Sequence, residues 1–213
     1  MKRLWWRLVR FGFRLLYNEL AFTYDIVSVF VSMGAWRCWG NSALAHLGNE
    51  SPVLELAHGT GNLQIDLHKA GYRAIGYDLS AGMGRLTQAK LTREGIDARL
   101  TRGRAQQLPF ASGSFAAVVS TFPTDFITAK ETVNEVYRVL KPGGVFVVVP
   151  NATLTGGDLT VKGLEWLYRI TGQHSDEQIT PDYAAPFAPF QVTALEERCS
   201  RSTVTVIVAR KTA

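Results

Sequence analysis

The segment that most constrains the fold is residues 53–61, which read Val-Leu-Glu-Leu-Ala-His-Gly-Thr-Gly. An apolar run here enters a turn with two glycines, a helical pattern begins at Asn62, and a second apolar run ends in the carboxylate of Asp78. In such a strand–turn–helix unit the glycines let a ligand approach the start of the helix, and an acid at the end of the next strand accepts hydrogen bonds from ribose hydroxyls. The segment therefore predicts a site for a ligand that contains a nucleoside.

From residue 52 onward, strand-like and helix-like patterns alternate. Predicted strands cover residues 53–56, 74–77, 97–103, 116–121 and 145–149, and predicted helices cover residues 62–69, 81–93, 130–140 and 159–171. Apolar strands that alternate with helices are typical of a parallel sheet covered on both faces. Residues 191–197 and 204–209 are β-like runs around a polar turn and predict an antiparallel hairpin. The expected fold class is α/β, with a doubly wound, mostly parallel sheet of seven strands.

Residues 1–48 are expected to form a helical, aromatic cap in front of one domain at residues 49–213. In residues 1–17, arginines recur at spacings of four, three and four on one side of a helix, and tryptophan and other apolar residues lie on the far side. These arginines are Arg3, Arg7, Arg10 and Arg14. Two interpretations stay open. The helix lies in a membrane interface against anionic lipid phosphates, or it packs on the protein's own core with its arginines in solvent.

The formal net charge is +5 over 213 residues, and the five basic residues that precede Glu19 account for the whole excess. The remainder is electrically balanced, which disfavours a nucleic-acid-binding protein because such proteins carry a basic reading surface. Cys38 and Cys199 lie far apart without metal-ligand spacing, so we expect reduced thiols in a cytoplasmic protein and no metal site. No run reaches the roughly 20 apolar residues of a membrane span, and arginines interrupt any secretory signal.

Two positions define the ligand more closely. A dinucleotide-binding turn needs a third glycine, and this chain has Gln64 there, so a nicotinamide cofactor stays only as an alternative. Glu55 would repel a diphosphate but attract an ammonium group. A nucleoside with an α-amino acid tail, such as S-adenosylmethionine, therefore suits Glu55 and Asp78 together.

The chain resembles the class I S-adenosylmethionine-dependent methyltransferases in four segments that occur in the family's order. They are Glu55-Leu-Ala-His-Gly-Thr-Gly61, Asp78, Gln107-Leu-Pro-Phe110 with Ser114-Phe115, and Glu135-Val-Tyr-Arg-Val-Leu-Lys-Pro-Gly-Gly144. The resemblance covers about residues 50–150. It implies a Rossmann-like methyltransferase fold, S-adenosyl-L-methionine as cofactor and S-adenosyl-L-homocysteine as product. Residues 141–144 also predict a helix stop followed by a turn.

The resemblance implies a set of cofactor-binding residues. They are Glu55, Ala57, His58, Gly59, Gly61, Asp78, Leu79, Met83, Arg104 and Ala105. Asp78 matches the acid that holds both ribose hydroxyls. The chain departs from the family pattern at Ala57-His58, where Gly-Cys is usual, and at Arg104, where many relatives have an acid that binds the adenine amine. Adenine would then be held by the backbone amide of Ala105 between apolar walls, and His58 is expected to line the turn rather than to contact the substrate.

Methyl transfer is an in-line displacement, so the protein mainly aligns the acceptor and excludes water. No residue pattern demands a general base. The polar candidates near the reacting methyl are Thr121, Thr124, Asp125, Tyr24, His174 and Tyr183. Residues 120–123 read Ser-Thr-Phe-Pro and lack the Asn/Asp-Pro-Pro-aromatic box of nucleic-acid amino-methyltransferases, which again disfavours nucleic acid.

The aromatic, basic N-terminal segment makes the chain most similar to the quinone-biosynthesis and phospholipid methyltransferase branch. This resemblance implies a methyltransferase with a small, lipophilic or lipid-like acceptor, in the cytoplasm or peripherally at the inner face of the membrane. Two alternatives stay open: a non-catalytic protein that senses S-adenosylmethionine or acts as a scaffold, and an NAD-dependent oxidoreductase. The oligomeric state and the methylated atom are left undetermined by the sequence.

Overall fold

The structure, a computed structural model, describes residues 24–97, 99–155 and 184–212. The helices predicted over residues 1–17 and 159–171 lie outside these ranges, as do His174 and Tyr183. Within the described ranges, no helix combines the length and the hydropathy that crossing a bilayer requires.

Within the described residues, one sheet contains seven strands in the order β3-β2-β1-β4-β5-β7-β6. The strands are β1 (Val53–Leu56), β2 (Ala74–Asp78), β3 (Leu100–Arg102), β4 (Phe115–Thr121), β5 (Leu140–Leu154), β6 (Gln191–Cys199) and β7 (Ser202–Arg210). Strands β1 to β5 pair in parallel, and β7 pairs antiparallel with both β5 and β6. The predicted α/β class, mostly parallel sheet and C-terminal hairpin are confirmed. Strands β2 and β3 lie on one side of β1 in the sheet, whereas β4 and β5 lie on the other side. A crevice is therefore expected at the carboxyl ends of β1 and β4.

The helices occupy the predicted places between the strands. They are α1 (Tyr24–Val31), α2 (Trp36–Asn41), α3 (Asn62–Lys69), α4 (Ala81–Arg93) and α5 (Lys130–Val139), with short 3-10 turns at Leu44–His46, Asp125–Thr128 and Ala185–Phe187. Successive residues of a strand point to opposite faces of the sheet. Val118 and Val148 accordingly pack in the cluster that includes the apolar side of α5. Val119 and Val147 pack on the other face, with α3 and with Trp39 of α2.

Part of the predicted cap therefore shares the core of the sheet. Trp39 is only 2% exposed, and its Nε1 donates to Ser202 Oγ at 2.6 Å across the start of β7. The boundary between a cap and one domain at residue 49 stays a prediction.

Strand β5 differs from the sequence prediction at its start. Helix α5 ends at Val139, one residue before its predicted end, and residues 141–144 belong to a 15-residue strand rather than to a separate turn. The pairing with β4 shifts between Phe115↔Leu140 and Ala117↔Val145, so residues 141–144 bulge out of the ladder. The difference arises because α5 ends directly beside β4, where Leu140 already enters the sheet.

The cysteines also differ from the prediction. Cys38 on α2 and Cys199 at the end of β6 form a disulfide, with Cα atoms 6.0 Å apart, so the prediction of reduced thiols is wrong for this structure. The reason is tertiary, since α2 packs against the β6–β7 turn through Trp39 and Ser202. This packing joins residues that are 161 positions apart in the sequence, which no local pattern reveals.

Candidate cofactor and acceptor site

The turn between β1 and α3 has a backbone that a ligand can approach closely. Gly59 and Gly61 have positive φ angles of 54° and 81°. A Cβ atom on Gly61 would lie 2.4 Å from Cγ2 of Thr87, so only glycine fits there. Ala57 also has a positive φ, 56°, although it carries a side chain. Because the left-handed conformation costs an L-residue on the order of 1 kcal/mol, Ala57 is strained where the family pattern has glycine.

Asp78, at the end of β2, faces this turn. Its Oδ2 accepts a hydrogen bond from Gly59 N at 3.0 Å, and its Oδ1 accepts one from Ser80 N at 2.7 Å. Ser80 Oγ, rather than Asp78, caps α4 by accepting from Met83 N at 3.1 Å. An ionised carboxylate offers about four lone-pair sites, so Asp78 retains acceptor capacity for ribose hydroxyls.

Glu55 lies on β1 below the turn, is 2% exposed and lines the adjoining cleft. Its Oε2 accepts from Gln64 Nε2 at 2.7 Å, whereas Oε1 of Gln64 is buried and has no hydrogen-bond partner among the described residues. Burial raises the pKa of Glu55 to about 8, against the opposing effect of the Gln64 hydrogen bond. Without a cation beside it, Glu55 is therefore mostly protonated at neutral pH, which differs from the carboxylate that the sequence suggests.

Gln64 also bears on the alternative cofactor. Its side chain is fully buried against Glu55, at the position where a dinucleotide-binding turn has its third glycine. That glycine permits the close helix–strand packing of a diphosphate site. The structure therefore disfavours the NAD-dependent oxidoreductase.

His58 packs under the turn. Its Nδ1 lies 3.0 Å from Gly59 O and 3.2 Å from Thr87 Oγ1. A Cβ atom on Gly76 would meet the imidazole Cδ2 at 2.9 Å, so the ring is closely enclosed. Burial lowers the pKa of His58, against the opposing effect of the Asp78 carboxylate. A neutral, enclosed imidazole agrees with the expected role of lining the turn.

Leu79 and Met83 flank the end of β2 on the side predicted to hold adenine. Met83 is buried, but Leu79 remains 58% exposed although its side chain is apolar. An aromatic base that covered Leu79 would remove this surface from water, and each Å² of apolar area so buried contributes roughly 25 cal/mol. The exposure of Leu79 directly after Asp78 is therefore consistent with the predicted adenine wall.

The segment that contains Arg104 and Ala105 is tied to the end of β2. Gly103 N donates to Asp78 O at 3.0 Å, which brings the start of this segment next to Asp78. Ala105 is buried and Arg104 is exposed, with its carbonyl oxygen 3.4 Å from the hydroxyl of Tyr77. The position at which the family pattern has an adenine-binding acid is thus an exposed arginine in this chain, followed by the buried Ala105.

A cleft that is open to solvent lies between the turn and α2. Residues from β1, the turn, α3 and the end of β4 line one side of it, including Glu55, Ala57, Gly59, Thr60, Asn62 and Thr121. Residues from α2 line the other side, including Trp36, Arg37, Gly40 and Asn41. These α2 residues belong to the predicted N-terminal cap but were not among the predicted site residues. The density of aromatic residues before residue 40 was their only sequence signal, and it did not specify a position.

Arg37 and Asp66 both line this cleft and form an ion pair across it. Arg37 Nε donates to Asp66 Oδ2 at 3.0 Å and Nη2 donates to Asp66 Oδ1, while the Arg37 side chain is still 60% exposed. An amino acid tail carries an ammonium and a carboxylate, and the cleft holds Glu55 for the first and the guanidinium of Arg37 for the second. The cleft therefore offers one group for each charge of a zwitterion, with the guanidinium of Arg37 shared between a ligand carboxylate and Asp66.

Asp25 connects α1 to the turn. Its Oδ1 accepts from Thr60 Oγ1 at 2.5 Å and from Asn62 Nδ2 at 3.0 Å, and its carboxylate forms an ion pair with Lys90 of α4. Although burial acts to raise it, the pKa of Asp25 is held below its usual value by the hydrogen bonds from Lys90 and Thr60. The start of α1 is thereby held beside the residues that begin α3.

The catalytic candidates are not brought together. Thr121 ends β4 and lines the cleft. Asp125 and Thr124 are exposed at the following 3-10 turn and do not line it. Tyr24 begins α1, and His174 lies outside the described residues. Of these candidates, the geometry retains Thr121.

A family model described as a methyltransferase domain matches residues 53–144. A demethylmenaquinone methyltransferase from Lactiplantibacillus plantarum is 37% identical over 140 residues, which are 62% of this chain and 59% of that protein. A ubiquinone/menaquinone biosynthesis C-methyltransferase from Legionella pneumophila is 33% identical over 146 residues, which are 65% of this chain and 58% of that protein. The chain thus matches less than two thirds of the length of these curated relatives.

Solved structures agree on the fold. A geranyl diphosphate C-methyltransferase from Streptomyces coelicolor, in complex with Mg²⁺, geranyl diphosphate and S-adenosyl-L-homocysteine, superposes with a TM-score of 0.63. The match has 18% identity and covers 82% of this chain and 78% of that one. At this identity the likeness shows the fold, which agrees with the predicted architecture.

Proposed function

We propose, from the match of residues 53–144 to a methyltransferase-domain family model and from the similarity to methyltransferases of quinone biosynthesis, that the protein transfers a methyl group from S-adenosylmethionine to a small, lipophilic acceptor. The observation that carries the proposal is the position of Asp78, which accepts from Gly59 N in the glycine turn, while Gly59 and Glu55 both line the adjoining cleft. An acid at the first place suits ribose hydroxyls, and an acid at the second suits an α-ammonium group.

The described side chains have separate tasks in this proposal. Asp78 accepts from the ribose hydroxyls, and Leu79 packs on the adenine. Glu55 accepts from the α-ammonium group, whose positive charge lowers the pKa of the carboxyl and stabilises its ionised form. Arg37, on the opposite side of the cleft, binds the α-carboxylate. The sulfonium supplies an activated methyl group, so the remaining task of the protein is to align the acceptor and exclude water.

We further propose a quinone-type ring as the acceptor. The support is the printed activity of the relatives, which are methyltransferases of menaquinone and ubiquinone biosynthesis. Transfer to a ring carbon forms a carbon–carbon bond, breaks the carbon–sulfur bond with its electron pair left on sulfur, and releases the ring proton to water.

The cofactor assignment is tested by calorimetry with S-adenosylhomocysteine. Asp78→Ala should weaken binding by about 100-fold or more, because hydrogen bonds to a charged group contribute about 1.5–3 kcal/mol each. Asp78→Asn keeps the shape of the side chain and reports the charge alone. Asp97→Ala removes an exposed acid that precedes β3. This variant should bind S-adenosylhomocysteine like the wild type. Equal affinity of Asp78→Ala and the wild type would refute the assignment.

Turnover is tested with S-adenosylmethionine that carries a labelled methyl group and a naphthoquinol with one unsubstituted ring carbon. Label in the ring is the expected result. S-adenosylhomocysteine binding without label in any quinol or lipid extract would contradict the enzymatic proposal and support a sensor or scaffold.

We also propose that the protein works in the cytoplasm and peripherally at an anionic membrane surface, where a lipophilic acceptor is found. Helix α1 supports this, because Ile26, Val29 and Phe30 follow the i, i+3, i+4 spacing of one helix face and are 55–81% exposed. The basic stripe of residues 1–17 precedes this face in the sequence. Together they supply the apolar and cationic parts of an interfacial surface.

Flotation with vesicles that contain phosphatidylglycerol tests the membrane proposal. Deletion of residues 1–17 should abolish flotation, and Ile26→Asp with Phe30→Asp should reduce it strongly. Leu195→Asp changes an exposed apolar residue on β6 and serves as the control. Retained flotation of the deletion variant would contradict the proposal.

A further inference from the structure

Three aromatic rings meet at the α2 side of the cleft. The rings of Trp36 and Phe122 are stacked, with centroids 4.4 Å apart and an interplanar angle of 27°. Trp39 packs against both, at 6.0 Å from Trp36 and 5.9 Å from Phe122. Trp39 is buried and fixed by its hydrogen bond to Ser202, so it supports the pair from behind. Trp36 and Phe122 themselves line the cleft.

Phe122 is held in a strained backbone conformation. It directly follows β4 and has a φ of 49°, in the left-handed region that bulky residues rarely adopt. Its N–H donates to Val149 O at 2.7 Å, so the neighbouring strand β5 fixes this conformation. A strained backbone conformation of this kind persists only where the surrounding structure enforces it, and such conformations are concentrated at functional sites. Here the strained backbone brings the phenyl ring against Trp36 at the cleft.

The position of the pair relates it to the acceptor rather than to the cofactor. Phe122 lies at the carboxyl end of β4, on the opposite side of the β1 crevice from Asp78 and β2. The groups that suit the cofactor's polar parts, Asp78 and Glu55, belong to β2 and β1. Since an in-line displacement needs the acceptor on the far side of the methyl carbon from the sulfur, the β4 side of the crevice is left for the acceptor.

We infer that Trp36 and Phe122 form an aromatic wall that selects a planar acceptor ring by stacking. The inference rests on the proposed function and adds to it the residues that recognise the acceptor. Offset-stacked aromatic pairs gain free energy beyond the area that they bury, and a leucine of similar size cannot supply this gain. The wall therefore favours a flat ring over a lipid head group that is not planar.

Binding of an oxidised naphthoquinone to the protein saturated with S-adenosylhomocysteine tests the inference without a reductant that would open the disulfide. Phe122→Leu and Trp36→Leu should each weaken naphthoquinone binding by roughly tenfold. Phe122→Tyr and Trp36→Phe retain a ring and should remain within about threefold of the wild type. Tyr137→Leu removes an aromatic contact to Phe190 on the other side of the molecule and should leave the affinity unchanged.

The affinity for S-adenosylhomocysteine is measured in the same variants. It should be nearly unchanged in Phe122→Leu and Trp36→Leu. A loss of S-adenosylhomocysteine affinity with unchanged naphthoquinone affinity would overturn the inference, as would equal naphthoquinone affinity in the leucine and the aromatic variants. Failure of wild-type turnover contradicts the proposed function separately. In that case the binding data still decide whether the wall recognises a flat ring, and absence of naphthoquinone binding to the wild type would overturn the inference as well.

Discussion

Replacing Glu55 by glutamine should make the protein more stable, and increasingly so as the pH rises. Glu55 has an ordinary pKa of 4.5, and burial raises the pKa to about 8 in the folded protein. Its contribution to stability is therefore fully present below pH 4.5 and is lost as the pH rises to about 8, because the unfolded chain releases the proton first. In Glu55→Gln this loss is absent, since an amide does not titrate.

The magnitude follows from the pKa difference. Each unit corresponds to about 1.4 kcal/mol, so the free energy of unfolding of the variant should gain roughly 1 kcal/mol per pH unit on the wild type between about pH 5 and pH 8. The total by pH 8 is about 3–5 kcal/mol. The amide also suits the site, because its N–H₂ can donate to Oε1 of Gln64, which has no partner among the described residues.

Urea unfolding with the disulfide intact measures this effect at pH 5, 6, 7 and 8 by linear extrapolation. Glu135→Gln is a control of opposite sign, because the hydrogen bond from Arg138 lowers the pKa of Glu135 against the effect of burial. The stability that ionised Glu135 contributes is present above the ordinary pKa of its carboxyl and is lost as the pH falls. Glu135→Gln should therefore be less stable than the wild type at neutral pH. A constant difference between Glu55→Gln and the wild type across the series would refute the reasoning. The same variant should bind S-adenosylhomocysteine more weakly, because an amide cannot balance the ammonium charge.

Three further predictions concern strain and long-range contacts. Ala57→Gly relieves a φ of 56° and should raise stability by up to about 0.5 kcal/mol after the entropy cost of glycine; a lower melting temperature in a thermal scan would contradict this. Reduction of the Cys38–Cys199 disulfide opens a long loop and should lower stability by about 2–5 kcal/mol, and Cys38→Ser should show the same loss and become insensitive to dithiothreitol. Thiol labelling of cell extracts would show whether the pair is oxidised in the cell. Asp25→Asn should cost about 0.5–1 kcal/mol at pH 7, discounted for the partial exposure of the ion pair. Although burial acts to raise it, the pKa of Asp25 is lowered by Lys90 and its hydrogen-bond donors. The stability difference between Asp25→Asn and the wild type should therefore shrink as the pH falls below about 4. A difference in melting temperature that stays constant with pH would contradict the assignment.

The central part of the fold follows from local sequence patterns. The strand at Val53–Leu56 and the helix at Asn62–Lys69 occur at the residues that periodicity predicts, because side-chain direction within a strand or helix depends on near neighbours in the chain. The glycines of the turn are likewise local, since positive φ is a property of a single residue. Asp78 could be located from the sequence because it ends the strand next to this turn, and the structure places it 3.0 Å from Gly59 N.

Contacts between distant segments were decided only in three dimensions. The sequence suggested a charged Glu55, but the burial that raises its pKa depends on how α3 brings Gln64 against β1. Cys38 and Cys199 form a disulfide only because α2 docks on the β6–β7 turn. Trp36 could be recognised as apolar, but its stacking on Phe122 depends on the same docking and on a strained residue after β4. The sequence by itself determined the central strands, the glycine turn and the place of Asp78 beside it, because these depend on local backbone preference. The tertiary structure decided the charge state and the walls of the cleft, because desolvation and packing depend on which remote segments come together.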